Sequence, residues 1–350
     1  METLYVLTGA TSHLGQALIR DLIATNKKVR VLIHKTMLPS SIRDYPIEIV
    51  QGSILDIETL RELLTYEGDL VLIHCAGRFE VGEEVTESMF QVNIKGTQNI
   101  IDMCFEMNVK KLLFLSSSQT LRQPESLRLL SEVQYFRPEG VSTGYGKSKA
   151  EATQMVLDAG KTGLNVNVFL PSTLIGPYDY RGGLSGRLIT DFLQNKIKFL
   201  IKGGLDFVDV RDVSQAILNA AEISRPQEVY LLTGKYMTLH DFITEVARAT
   251  RRKRINLFMP DFLSNSVESI SRINKFFNRR DFYYSKQLIG MLMSQARFSS
   301  NKAVQYLGYE TRPLVDSIVD TVQFYVDMEL LDKNINLRVL GKNNTESSET

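Results

Sequence analysis

Thr8-Gly-Ala-Thr-Ser-His-Leu-Gly15 stands between a short apolar run, Leu4 to Thr8, and an amphipathic stretch from Leu14 to Ala24. Leu14, Leu18, Leu22 and Ile23 recur there at helical spacing, so the segment predicts a strand, a tight glycine turn and a helix. Glycines let a backbone turn sharply and approach a pyrophosphate, whose charge is met by the free N–H groups at the helix start. The spacing is Gly9, Ser12, Gly15, with serine at the central position of a G-x-x-G-x-x-G. Ser12 adds a Cβ where a phosphate passes, and its hydroxyl either donates to that phosphate or caps the helix.

Strand-like runs return at Val29 to Ile33, Ile47 to Val50, Leu70 to His74, Leu112 to Leu115 and Val166 to Leu170, mostly separated by helical patterns. Alternating β and α, with runs apolar on both faces, predicts a parallel sheet covered by helices on both sides. After Pro171 the rhythm changes. Gly and Tyr accumulate from Ile175 to Gly183, one more strand is expected at Val229 to Leu232, and Thr238 to about Asp332 reads as mostly helical. The expected organisation is a Rossmann-type α/β domain from 1–172 plus about 207–235. A smaller, mostly helical substrate lobe is expected from about 173–206 plus 236–335. The polar end, 336–350, reads as a disordered tail.

At 350 residues, 43% apolar and 23% charged, the chain is long enough for a large core. Its net charge of +1 gives no case for a nucleic-acid partner. Two cysteines, Cys75 and Cys104, make no disulfide framework, which suits a reducing cytoplasm. No apolar run reaches the ~18 residues of a membrane span, and no basic leader precedes the first strand, so a soluble cytoplasmic protein is expected. His13, His34, His74 and His240 share no metal spacing, and no metal site is expected. The basic run Arg251 to Arg254 has only Phe258 nearby to stack a base and reads as a solvated helix end. Asp209 and Asp212 read as caps or braces of the helix that follows them.

About 20 residues past the glycine turn, an acid would accept from a ribose 2′-hydroxyl. This chain carries Ile33-His34-Lys35, a cation without an acid, which favours a 2′-phosphate and hence NADP, with NAD as the other choice. Further on, Tyr145 and Lys149 lie four apart, so one helix face carries both phenol and ammonium. A serine triplet, Ser116 to Ser118, lies between the two motifs.

Taken together, these residues resemble the extended short-chain dehydrogenase/reductase family, of NAD-dependent epimerase/dehydratase type. The motifs that carry the resemblance are Thr8 to Gly15, Ile73 to Gly77, Asn93 to Thr97, Ser116 to Ser118, Tyr145 with Lys149, and Leu170 to Pro177. It continues through Phe207 to Val213 and Ala303 to Tyr309, and looks most like the dihydroflavonol-reductase and hydroxysteroid-dehydrogenase branch. Ser12 and Ser53 depart from the pattern, the latter where relatives often place an aspartate near the adenine.

The resemblance implies an enzyme in which Tyr145 is the general acid or base. Lys149 lowers the phenol's pKa and holds the nicotinamide ribose, and Ser118 hydrogen-bonds the substrate oxygen. It further implies dinucleotide contacts from Gly9, Thr11, Ser12, His13, Leu14, Gly15, His34, Lys35, Ser53, Ile54, Ala76, Gly77, Ser116, Pro171 and Leu174. His74 reads as a core or strand-end residue. The expected activity is hydride transfer to or from a carbonyl or secondary alcohol on a small to medium, fairly apolar molecule. A pocket from Arg78 to Glu84, Gln119 to Val141 and Ile175 to Arg187 would hold it. A sugar-nucleotide epimerase or dehydratase is the alternative, although Leu205-Asp206-Phe207 lacks the arginine such enzymes carry. A non-catalytic dinucleotide sensor is the second alternative. The family also implies a homodimer through the helix of Tyr145 and a long helix, Met89 to Met107, with Ile100, Ile101, Phe105 and Met155 available.

Overall fold

The computed structural model describes residues 2–34, 40–122, 128–258, 291–292 and 296–331. Its strands are β1 (Leu4–Thr8), β2 (Lys28–Ile33), β3 (Glu48–Gln51), β4 (Leu70–His74), β5 (Lys111–Leu115), β6 (Arg128–Leu130), β7 (Val166–Pro171), β8 (Thr173–Ile175), β9 (Gly204–Asp209), β10 (Glu228–Leu232), β11 (Lys235–Thr238) and β12 (Ala296–Phe298). The helices are α1 (His13–Ala24), α2 (Ser40–Arg43), α3 (Ile57–Leu64), α4 (Glu87–Met89), α5 (Gly96–Glu106), α6 (Gly144–Lys161), α7 (Leu184–Leu193), α8 (Val210–Glu222), α9 (Leu239–Ala249), α10 (Asn301–Leu307) and α11 (Leu314–Asp327).

Seven strands form one parallel sheet in the order β10-β7-β5-β4-β1-β2-β3. Their apolar runs split by the two-residue period of a strand. Leu4, Val6, Leu70, Leu72, Leu112 and Phe114 enter the core under α3, α5 and α6. Tyr5, Leu7, Val71, Ile73 and Leu113 enter the opposite core, under α1, α8 and α10. Both faces are covered, as the unbroken apolar runs require. The strand order reverses direction between β1 and β4, and this is where an open α/β sheet leaves a crevice at its carboxyl edge.

Buried Lys111 fixes one of the covering helices. Its Nζ donates to the carbonyls of Ala220 (2.6 Å) and Ile223 (2.5 Å), at the end of α8. A cation there meets the negative end of the helix dipole and satisfies carbonyls that lack a helical partner. At the other end, Asp209 caps α8 by accepting from Arg211 N–H, and Asp212 in its first turn pairs with Arg312 at 2.7 Å.

A second core packs α7, α9 and α11 around Ile189, Phe192, Ile243, Ile318 and Val322. It includes more sheet than the periodicity suggested. β8, β9 and β11 form a three-stranded sheet, from which Phe207 stacks on Phe242 of α9 with ring centres 4.3 Å apart. The three strands have only three to six residues each, too short for a clear alternation.

The expected long helix from Met89 to Met107 is not a uniform α-helix. A π-helical turn, Phe90–Lys95, joins α4 to α5. Within α5, Ile100 and Ile101 lie in the sheet core and are not available to a partner surface, whereas Phe105 is exposed. The tail expected at 336–350 and Lys35 both lie outside the described residues. Among the described residues no helix is long and apolar enough to cross a membrane.

Candidate active site

The carboxyl ends of the parallel strands gather the predicted residues. Past β1 come Gly9 to Gly15; past β2, the exposed His34; past β3, Ser53 and Ile54. Past β4 come Ala76 and Gly77, past β5 Ser116 and Ser118, and Pro171 ends β7. Leu174 stands apart in β8, paired with Val208 of the small sheet.

Gly9 has φ of +74°, a left-handed conformation that glycine adopts without strain. A Cβ on it would stand 2.6 Å from Ala76 N, so the turn after β1 lies directly against the end of β4. A Cβ on Gly15 would run into the Gly9 carbonyl. Both glycines are thus required by close main-chain packing, which holds the turn tight at the start of α1, where free N–H groups suit a dinucleotide pyrophosphate. Ser12 is the N-cap of α1, and its Oγ accepts from Gly15 N–H at 3.0 Å. His13 reaches the segment after β8, its Nε2 2.9 Å from the Pro177 carbonyl. Past β3, Ser53 Oγ accepts from Leu55 N–H, and Ile54 packs on Gly96.

Tyr145 and Lys149 open α6, whose N-cap Thr143 accepts from Gly146 N–H at 3.0 Å. Two glycines flank the phenol for reasons of space. A Cβ on Gly144 would run into the Glu84 carbonyl, and one on Gly146 would come 2.6 Å from the Gln119 carbonyl. Gln119 follows Ser118 in the short turn Ser118–Thr120, so this contact brings the serine turn to the first turn of α6. The Tyr145 ring lies edge-on to Phe79, with centres 5.1 Å apart, and Phe79 is 46% exposed.

Burial raises the Tyr145 phenol to about 12. It lowers buried Lys149 to about 7, and Cys75 opposes that shift. Lys149 Nζ donates to the Leu115 carbonyl at 2.6 Å and sits 4.2 Å from the Phe114 ring centre. In this arrangement the ammonium is directed at β5, and burial alone sets the phenol. Ser116 donates to Thr153 Oγ1 at 2.6 Å, because the Thr153 proton is already committed to the Lys149 carbonyl. Ser116 thus braces α6 through its hydroxyl.

Beneath these groups runs a buried polar chain. Thr97 Oγ1 donates to the Asn93 carbonyl, leaving it to accept from His74 Nε2 at 3.3 Å. His74 Nδ1 is then the acceptor for Thr8 Oγ1 at 2.6 Å, and Thr8 accepts in turn from Ala76 N–H. Proton counting fixes one tautomer, neutral with hydrogen on Nε2. Burial, with Lys149 adding to it, lowers His74 to about 3. Asn93 extends the chain from the π-helical turn. It accepts from Arg78 N–H (2.7 Å), and its amide donates to the Arg78 carbonyl and to Ser148 Oγ, both at 2.9 Å. Ser148 Oγ then donates to the Tyr145 carbonyl. The end of β1 and the first turn of α6 are therefore joined through five side chains, Thr8, His74, Thr97, Asn93 and Ser148.

Asn93 was visible in sequence only as part of a motif, whereas His74 was read as a core or strand-end residue and is buried at the end of β4. The available signal for His74 is a polar residue ending an otherwise apolar strand. Among the described residues no cluster of His, Cys, Asp or Glu has a metal-binding arrangement.

A family model described as the NAD dependent epimerase/dehydratase family matches residues 5–232. Sterol demethylase protein B of Methylococcus capsulatus is 27% identical over 323 residues, covering 91% of this chain and 97% of its own. The sterol-4-alpha-carboxylate 3-dehydrogenase (decarboxylating) of Dictyostelium discoideum is 25% identical, covering 87% of this chain and 95% of its own. The crystal structure of gox2253 superposes with a TM-score of 0.81 at 26% identity, covering 94% of this chain and 99% of that one.

Proposed function

Because this chain belongs to the NAD dependent epimerase/dehydratase family, and so to the enzymes of extended short-chain dehydrogenase/reductase type, we propose that it is an NAD(P)-dependent oxidoreductase. Its substrate in this reading is a carbonyl or secondary alcohol on a small to medium, fairly apolar molecule. One observation carries the proposal: the Tyr145 phenol opens α6 beside the Ser118 turn, roofed by the half-exposed ring of Phe79. An aromatic roof favours an apolar reactant over a sugar nucleotide. Leu205 and Asp206 support the same choice, since both are buried in β9 and Asp206 accepts from Gly234 N–H.

A bound nicotinamide dinucleotide supplies the hydride acceptor or donor. Tyr145 moves the proton at the substrate oxygen, and Ser118 Oγ holds that oxygen as charge develops on it. Lys149 Nζ anchors the nicotinamide ribose and tunes the phenol, which requires it to turn from the Leu115 carbonyl toward the reacting end. Lys149→Met therefore weakens dinucleotide binding as well as turnover.

Turnover of ketones, aldehydes and UDP-sugars with NADPH and with NADH tests the reading. Reduction of apolar ketones or aldehydes supports it, and turnover confined to UDP-sugars overturns it. His34-Lys35 favours NADPH. Fluorescence titration should give a several-fold tighter Kd for NADPH than for NADH, and Lys35→Asp should reverse the order. Equal affinities would remove the NADP preference.

A further inference from the structure

We propose that Arg181, from the second lobe, is a phosphate-binding residue that completes the glycine turn and contacts the cofactor's pyrophosphate. This rests on the dinucleotide reading above. The segment Gly176–Gly183, which follows β8, is tied back to the glycine turn and α1 at three places. His13 Nε2 meets the Pro177 carbonyl at 2.9 Å. The Arg20 guanidinium lies 4.2 Å from the Tyr178 ring centre and donates to Tyr180 Oη at 3.0 Å. Arg181 Nη2 donates to Thr11 Oγ1.

The segment is held in this shape from both sides. Gly176 and Gly182 have φ of +129° and +66°, and Tyr178 has +76°, uncommon for a side chain with a Cβ. Asp179, 2% exposed, accepts from Gly183 N–H at 2.6 Å and from Tyr325 of α11 at 2.8 Å. Arg181 is thereby carried to the residue before the Ser12 cap of α1 while remaining exposed to solvent.

That position is electrostatically unfavourable for a cation by itself. The start of a helix carries a positive partial charge, and a guanidinium beside it adds to that field. Among the described residues no carboxylate pairs with Arg181. An anion lying across the turn would satisfy both the free N–H groups and the guanidinium, whose planar fork matches adjacent phosphate oxygens. Thr11 Oγ1 then acts as the seat that holds Arg181 toward the turn.

The test is the affinity of wild type and Arg181→Gln for NADH, NADPH, ADP-ribose and adenosine 2′-monophosphate, by calorimetry or fluorescence titration at two ionic strengths. A charge-assisted contact predicts that NADH, NADPH and ADP-ribose each weaken about tenfold or more, with a shallower salt dependence. Adenosine 2′-monophosphate, which lacks the pyrophosphate, should be unaffected. Arg181→Lys, which keeps the charge and loses the fork, should fall between the two. A loss confined to NADPH and adenosine 2′-monophosphate would move the contact to the 2′-phosphate and overturn the proposal. Unchanged affinities for all four ligands would overturn it outright. Wild type that binds neither dinucleotide would remove the underlying oxidoreductase reading as well, so the two failures are told apart.

Discussion

The starts of α1 and α6 are built alike and constrained differently. Each has a hydroxyl N-cap accepting from a glycine N–H three residues on, Ser12 to Gly15 and Thr143 to Gly146, both at 3.0 Å. Each packs its glycines against main chain. In the first, Gly9 must also bend into a left-handed conformation, so the turn is a requirement of backbone shape. In the second, Gly144 and Gly146 have helical geometry, and what matters is room for Glu84 and Gln119 to approach. Shape opens a cradle for a ligand, whereas room pulls a reactive side chain between two loops.

The largest effect should come from the reactive side chain. Tyr145→Phe is expected to lower kcat by at least about 10², with dinucleotide Kd nearly unchanged because the ring still packs against Phe79. Steady-state kinetics retaining more than about a tenth of wild-type kcat would remove Tyr145 from proton transfer.

Next comes the question of room. Gly144→Ala drives a methyl group into the Glu84 carbonyl and should cost about 3 kcal/mol or more in chemical denaturation. Gly9→Ala meets both a strained φ and the Ala76 amide, and should weaken dinucleotide binding as well as stability. If Gly144→Ala proved harmless while Gly9→Ala did not, room would be dispensable and the contrast between the two starts would fail.

Lys149 sharpens the comparison through pH. Burial holds it near 7, while an unfolded lysine titrates near 10.4. Below pH 7 both states are protonated and the folded chain bears the whole penalty. From about pH 7 to 10.4 the unfolded chain binds the extra proton, so stability from this group rises with pH. The stability of Lys149→Met relative to wild type should therefore fall by roughly 2 kcal/mol or more between pH 7 and 10. A pH-independent difference would show that Lys149 stays charged in the fold.

The smallest effects are the caps. Ser12→Ala and Thr143→Ala should each cost about 1 kcal/mol, and Ser12→Gly only a few tenths. A Ser12→Gly protein with tighter dinucleotide binding would show that the serine Cβ crowds the cradle, separating shape from room at a single position.

Much of the sheet was legible because strands buried on both faces read as unbroken apolar runs, and β1, β4 and β10 fall where Leu4 to Thr8, Leu70 to His74 and Val229 to Leu232 place them. The π-helical turn was not legible. One wide turn takes up about one extra residue, and the apolar residues from Met89 to Met107 are too irregularly spaced to show that single step. Tyr145 and Lys149 stood out by their spacing, yet the direction of the ammonium depends on the Leu115 carbonyl, a partner 34 residues away. Arg181 and Phe79 lay inside expected pocket-lining ranges without a reason to single them out. Their meaning comes from neighbours at Thr11 and Tyr145, distant in the chain.

The single tautomer of His74 also makes the protein its own spectroscopic reporter. A fully buried imidazole N–H that donates to Thr97, while the other ring nitrogen accepts from Thr8, is shielded from solvent on every side. Its proton should exchange slowly and keep its nuclear magnetic resonance frequency constant from pH 5 to 8, well above a titration near 3. Because the Thr97 acceptor is oriented by the Asn93 carbonyl, that one resonance registers whether the π-helical turn is intact. The integrity of this buried chain can thus be followed at a proton that takes no part in the chemistry.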